Sequence, residues 1–222
     1  MKHLFIILFS LLLMSCNSTQ LVENWKNPDI DSYQPYKVLI VGVTSNKKAR
    51  QKFEKQLKNE LELRGVTAVM SLEYFDTSFR TAEMTEEQLN ILEDDLLKDD
   101  FDTILLTKIV GIEDKITYKI NYDGFDETYI KFKEDYLMHQ DIYYNPDYYE
   151  EYTVYHAETS MYCICPTKDR EMLWKGYIDI VEPQSTNETI KDYVTLVIVV
   201  LEEQQLINPR SSKEEGIIEE IF

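Results

Sequence analysis

"KVLIVGVTSN", residues 37–46, decides the fold. Val38 to Val43 form an uninterrupted apolar run closed by Thr44, Ser45 and Asn46. A strand with one wet face alternates, whereas a run apolar at every position suits a strand buried on both faces, as in the centre of a parallel sheet. Downstream, Phe53, Leu57 and Leu61 recur every four residues and share one helical face, and Gly65 supplies a stop. "VTAVMS" (66–71) then reads as a second strand. "Thr85-Glu86-Glu87-Gln88" has the form of a capping box opening a helix through Leu89, Leu92 and Leu96 to Lys98. "FDTILLTKIV" (101–110) reads as a third strand. Strand, helix, strand, helix, strand predicts right-handed crossovers and a partly parallel sheet.

The second half changes period. "KITYKINY" (115–122) alternates apolar and polar residues, as do long parts of 152–165 and 171–181, with "PTKDR" between the last two as a hairpin turn. These predict antiparallel strands extending the same sheet. "Ser185-Thr186-Asn187-Glu188" has the form of another capping box. "YVTLVIVVL" alone would suit a strand, but Glu188, Asp192, Thr195 and Glu202 recur at helical spacing opposite Ile190, Tyr193, Val194, Val197, Ile198 and Leu201. The expected fold class is therefore α/β, a mixed sheet with a β-α-β-α-β first half, antiparallel strands in the second half, and a C-terminal helix packed on the sheet. Residues 36–207 form this single domain, with a Tyr-rich insertion at 123–151 and a C-terminal tail at 208–222.

At the N-terminus, Lys2 and His3 precede an apolar run, Leu4 to Met14. As a helix it would reach about 16 Å, half of a bilayer's hydrocarbon core, which suits a secretory signal better than a span. "Leu13-Met14-Ser15-Cys16" resembles the bacterial lipobox, which predicts a signal peptide over residues 1–15 and lipidation of Cys16. Several acyl chains would anchor the protein stably. Residues 16–35 mix polar residues with two prolines and read as a lipidated tether whose Trp25 docks on the domain.

The chain carries 41 acidic against 23 basic residues, a net charge of −18. Such a chain is repelled by phosphate backbones and anionic lipid headgroups, so nucleic acid is excluded as a partner and membrane attachment must come through the lipid. Cys163 and Cys165 remain after Cys16. In a strand their Cα atoms would lie about 6.6–6.8 Å apart, at the outer limit of disulfide geometry, so they read as neighbouring core thiols. With only His139 and His156 downstream of the leader, the residues point to no metal site and no cofactor.

Trp25, "KVLIVGVTSN", "RQKFE" (50–54), "LELRGVTAVMS", "FDTILLTKIVGIE", "AETSMYC" and "LWKG", ahead of "TIKDYV", together resemble a family of bacterial lipoproteins of uncharacterised function. The resemblance spans nearly the whole mature chain. It implies a lipid-anchored α/β domain facing the periplasm, and no reaction. Asn17, where some inner-membrane lipoproteins carry aspartate, tilts the expectation towards the outer membrane. At the level of fold the chain is similar to small periplasmic domains of envelope-assembly lipoproteins, which implies a partner-binding role.

Candidate chemistry is sparse. Gly42 stands at the first strand-to-helix junction, and Lys47, Lys48 and Arg50 could attract an anion there, but a phosphate loop needs more glycines; a solvated basic first turn is preferred. No G-x-S-x-G elbow is present, and the residues point to no catalytic group. Lys108 and Glu158 each sit in a predicted strand flanked by apolar neighbours, so they read either as a buried ion pair or as charges at the sheet's rim. Acidic stretches at 93–102 and 123–151 suit solvated surface better than calcium. Eleven of the 16 tyrosines fall between Tyr118 and Tyr162. Tyrosine gives large contact area at low entropic cost, so Tyr143, Tyr144, Tyr148 and Tyr149 are candidates for binding an envelope protein or glycan; packing over the sheet is the other reading. The expected function is a noncatalytic binding or structural module in the envelope. The alternative is a hydrolase or metal-dependent enzyme using the acidic, Tyr-rich rim. A cleft where carboxylates meet His139 or His156 would favour the enzyme; an exposed aromatic patch would favour binding.

Overall fold

The computed structural model describes residues 18–75, 84–118, 132–140, 144–145, 149–165, 171–183 and 185–210. Six strands form one mixed sheet: β1 (Thr19–Lys26), β2 (Lys37–Val43), β3 (Thr67–Met70), β4 (Thr103–Tyr118), β5 (Tyr149–Cys163) and β6 (Met172–Val181), in the order β1-β6-β5-β4-β2-β3. β2 pairs parallel with β3 and β4, while β4-β5, β5-β6 and β6-β1 are antiparallel. The helices are α1 (Lys47–Glu62), α2 (Ser71–Tyr74), α3 (Glu86–Lys98), α4 (Phe132–His139) and α5 (Thr186–Glu203). The expected mixed α/β sheet with a C-terminal helix packed on it is the observed architecture.

The two faces of β2 explain its unbroken apolar run. Val38 and Ile40 point into the main core with Phe53, Leu57 and Leu61 of α1 and Val194, Val197 and Leu201 of α5. Leu39 points the other way, against Leu96, Phe101 and Ile164. α1 and α5 thus cover the first face, and α3 covers the second over the parallel half. α1 stops where Gly65 takes φ +76°, a backbone state that costs glycine little. Thr85 and Gln88 form the expected reciprocal capping box on α3. Ser185 precedes α5 without a side-chain cap, so the second predicted box is absent.

Three further expectations are corrected. The tether assigned to residues 16–35 contains β1, an edge strand antiparallel to β6. The ladder with β6 holds it, and only part of its inner face is covered, so no apolar pattern advertises it. Trp25 stands opposite Lys175 on the second face and is half-exposed, not docked in the core. The strands predicted at 101–110 and 115–122 are one 16-residue strand, β4, because Val110 and Gly111 absorb an irregularity in register without ending the ladder. Finally, Cys163 and Cys165 are disulfide-linked, with Cα atoms 5.3 Å apart. β5 ends at Cys163, so the chain between the two cysteines is not extended, and the spacing falls within disulfide range. The "PTKDR" turn and the tail from residue 211 lie outside the described residues.

Candidate functional site

Beyond Lys108, β4 outruns β2, and beyond Val154, β5 outruns β6, so the two strands continue as a ribbon ending at the Tyr118–Tyr149 pair. The insertion leaves from this ribbon. Within it, α4 exposes Phe132 (82%), Tyr136 and Leu137, with the Phe132 and Tyr136 rings 6.1 Å apart, and Tyr144 is 73% exposed. Of the four candidate tyrosines, Tyr143 and Tyr148 lie outside the described residues. Tyr149 is the first residue of β5 and so belongs to the strand. Tyr144 is the one whose exposed side chain is described. Cys16 also lies outside the described residues.

The titratable groups gather elsewhere, on the second face of β4, β5 and β6. Lys108 and Glu158 are direct cross-strand partners with Nζ and Oε1 3.0 Å apart; the carboxylate is mostly buried and the ammonium about one-third exposed. Ser160 donates to the same oxygen at 2.9 Å. Burial pushes the Glu158 carboxyl up, but the Lys108 and Ser160 bonds and the Lys175 charge outweigh it and hold the group below its ordinary value. One step along the ladder, His156 Nδ1 is 2.6 Å from Asp179 Oδ1, and its Nε2 is 3.4 Å from Glu113. The Asp179 bond raises the imidazole above its ordinary value; partial desolvation opposes this, and Glu113 adds to it. The His156 ring also packs on Gly111, its cross-strand partner, where an added Cβ would sit 3.4 Å from the imidazole. Both clusters lie flat on a sheet face with each charge engaged by its neighbour. Among the described residues no group of three His, Cys, Asp or Glu is placed to hold a metal.

A cavity of about 320 Å³ opens on the first face, at the C-terminal ends of β2 and β4. This is the topological switch point, where the connection from β2 runs to β3 on one side while β4 lies on the other. Val43, Phe53, Ile109, Ala157, Ile180 and Ile190 make most of its wall, and the first turns of α1 and α5 close it. Beneath lies a hydroxyl chain: Thr107 to Thr159 and Thr159 to Tyr193, each 2.8 Å. Burial pushes the Tyr193 phenol well up, so it is a neutral hydroxyl at neutral pH.

The predicted basic turn beside Gly42 is corrected in part. Lys47 and Lys48 are exposed, but Arg50 is buried, donating to Glu54 at 2.8 Å and to Ser71 at 2.6 Å. Glu54 is fully buried and also accepts from the Gly42 amide at 3.0 Å, from Ser71 Oγ at 2.6 Å and from the Leu72 amide at 3.1 Å. One carboxylate thus ties β2, α1 and α2 together. Gly42 is needed for this approach, since a Cβ there would meet Arg50 Cγ and Phe53 Cδ1 at 3.3 Å. Sequence reasoning missed Glu54, Asp179, Glu113 and Thr189. The spacing of Arg50 and Glu54, four apart on a helix, was the available signal for the first.

No family model matches the chain, and no curated protein matches it. Similar solved structures include the PelC dodecamer from Paraburkholderia phytofirmans, at TM-score 0.43 and 9% identity, covering 85% of this chain and 98% of that one. Lipoprotein GNA1162 from Neisseria meningitidis is similar at TM-score 0.40 and 15% identity, covering 76% and 99%. A PDZ domain protein from Parabacteroides distasonis follows at TM-score 0.33 and 11% identity, covering 89% of this chain and 38% of that one. No residue of the site is carried over from any of them. No described helix is long and apolar enough to cross a membrane.

Proposed function

We propose that this protein is a lipid-anchored module of the bacterial cell envelope, held through Cys16 in the outer membrane and facing the periplasm, and that it binds a partner without catalysing a reaction. The exposed aromatic group of the insertion carries this reading: Phe132, Tyr136 and Tyr144 stand in water on a segment that leaves the long β4–β5 ribbon. Large rigid rings held at the surface cost little entropy on binding and are favoured at recognition surfaces. His156 and Glu158, the groups an enzyme would draw on, are instead paired across strands on a flat face. An envelope protein or a glycan fits such a surface.

Crosslinking in intact envelopes, comparing the full chain with one lacking residues 126–150, tests the reading. The expected result is a specific adduct that the deletion abolishes; equal adducts from both would contradict it. Radiolabelled palmitate should label the wild type and not Cys16→Ser, and the variant should leave the membrane fraction.

A further inference from the structure

The cavity at the switch point has a composition that the rest of the chain does not share. Although the protein carries 41 acidic residues, none lines it. Its wall is mostly aliphatic and aromatic; Arg50 on it is engaged by Glu54, and the Lys108 ammonium turns to Glu158 on the opposite face. Two helix N-termini close it, those of α1 and α5. The first turn of α1 has no acidic residue, so its dipole favours an anion at the mouth, while Glu188 in the first turn of α5 opposes this on that side. Inside, Thr189 is nine-tenths buried, lines the cavity and has no side-chain hydrogen-bond partner among the described residues. The hydroxyl oxygen keeps some accessible surface, so water reaches it, and a ligand acceptor would take that water's place.

The position of the chain's start adds a second argument. The Ser18 carbonyl accepts from the Val181 amide at 2.8 Å, and Thr19 pairs with Ile180, a wall residue of the cavity. Cys16 stands two residues before Ser18, a reach of about 7 Å. On the lipid-anchor reading, on which this step rests, the cavity therefore lies at the end of the sheet nearest the membrane.

We infer that this cavity binds a single acyl chain carrying an anionic head, a fatty acid drawn from the membrane. The chain lies along the aliphatic wall, and the head takes the Thr189 hydroxyl beside the N-terminal ends of α1 and α5. The volume sits at the lower end of ligand pockets, about 300–1,000 Å³, which suits one chain and not a whole phospholipid.

The mature chain, residues 16–222 with Cys16→Ser so that it has no acyl group of its own, is titrated with the fluorescent fatty acid cis-parinaric acid. Saturable one-to-one uptake displaced by palmitate is expected. Ala49→Trp, which fills the cavity from the first turn of α1, should lower the affinity at least tenfold at an unchanged thermal midpoint. Thr189→Val should lower it at least threefold, and Thr189→Ser should restore it. Absent or non-saturable uptake, or equal uptake by Ala49→Trp, would overturn the inference. So would a cavity that takes no probe in this chain yet is shielded in the Cys16-acylated protein from maleimide labelling at Ala49→Cys, since that assigns it to the protein's own lipid. Uptake is read without the anchor, so its failure is distinct from a failure of Cys16 to accept palmitate in cells.

Discussion

β2 and β5 are both central strands, each hydrogen-bonded on two sides, yet they are built from different residues. β2 sits between β3 and β4 with packed side chains above and below, and its sequence is apolar from Val38 to Val43. β5 sits between β4 and β6, with Ala157 and Met161 in the main core and His156, Glu158, Ser160 and Tyr162 on the other face. Among the described residues of the parallel half, the one charged group taken fully out of water is Glu54, and it is met by four donors. In the antiparallel half, charges remain partly wet and pair across strands. The first half is a sealed scaffold, and the second presents chemistry to the surroundings.

Breaking the sealed half should cost most. Glu54→Ala leaves Arg50 buried with Ser71 alone and strips the Gly42 amide of its acceptor, and loss of one partner of a buried pair costs about 3–5 kcal/mol. Urea denaturation should show that loss. In the antiparallel half the largest effect should come from Gly176→Ala, whose Cβ would fall 2.5 Å from two ring atoms of the fully buried Trp174. Overpacking of this kind costs about 1–3 kcal/mol, and near-ultraviolet circular dichroism should report the displaced indole.

The paired charges sharpen the contrast from the other side. A double-mutant cycle on Lys108→Ala and Glu158→Ala should give a coupling below about 1 kcal/mol, because the ammonium is one-third exposed and screened. The depressed Glu158 group contributes stability that is present above its unfolded value, about 4.5, and is lost as pH falls through the lower folded value. His156 has the opposite sign. Its folded value is raised, so its contribution is present below about 6.5 and disappears as pH rises through the higher folded value. An NMR titration of the imidazole should place its midpoint above that of a free histidine, and Asp179→Asn should bring it down.

The sealed half was legible because burial on both faces leaves a mark at every position: "VLIVGV", the Phe53-Leu57-Leu61 face and the Thr85 capping box all read correctly. α5 was legible from its polar face, although its apolar run alone suited a strand. β1 was not, because an edge strand is held mainly by backbone bonds that any sequence can make. The continuity of β4 was hidden by Val110 and Gly111, which look like a boundary and act as an irregularity. Cross-strand partners such as His156 and Asp179 depend on register, which no local pattern encodes. Arg50 misled because a helix's first turn is normally wet; here α2 folds back to cover it. The insertion was legible by composition alone; the exposure of Phe132, Tyr136 and Tyr144 depends on packing that no local pattern encodes.

The proposed function puts partner recognition on the insertion and a scaffolding role on the parallel half, and one measurement tests that division directly. A photo-crosslinking amino acid is placed in cells at Phe132 and Tyr136 of α4 and, as controls, at Leu89 and Ile91, which are exposed on α3. The account predicts a discrete adduct from the α4 positions and none from α3. Adducts from α3 alone, or the same adducts from both helices, would contradict it.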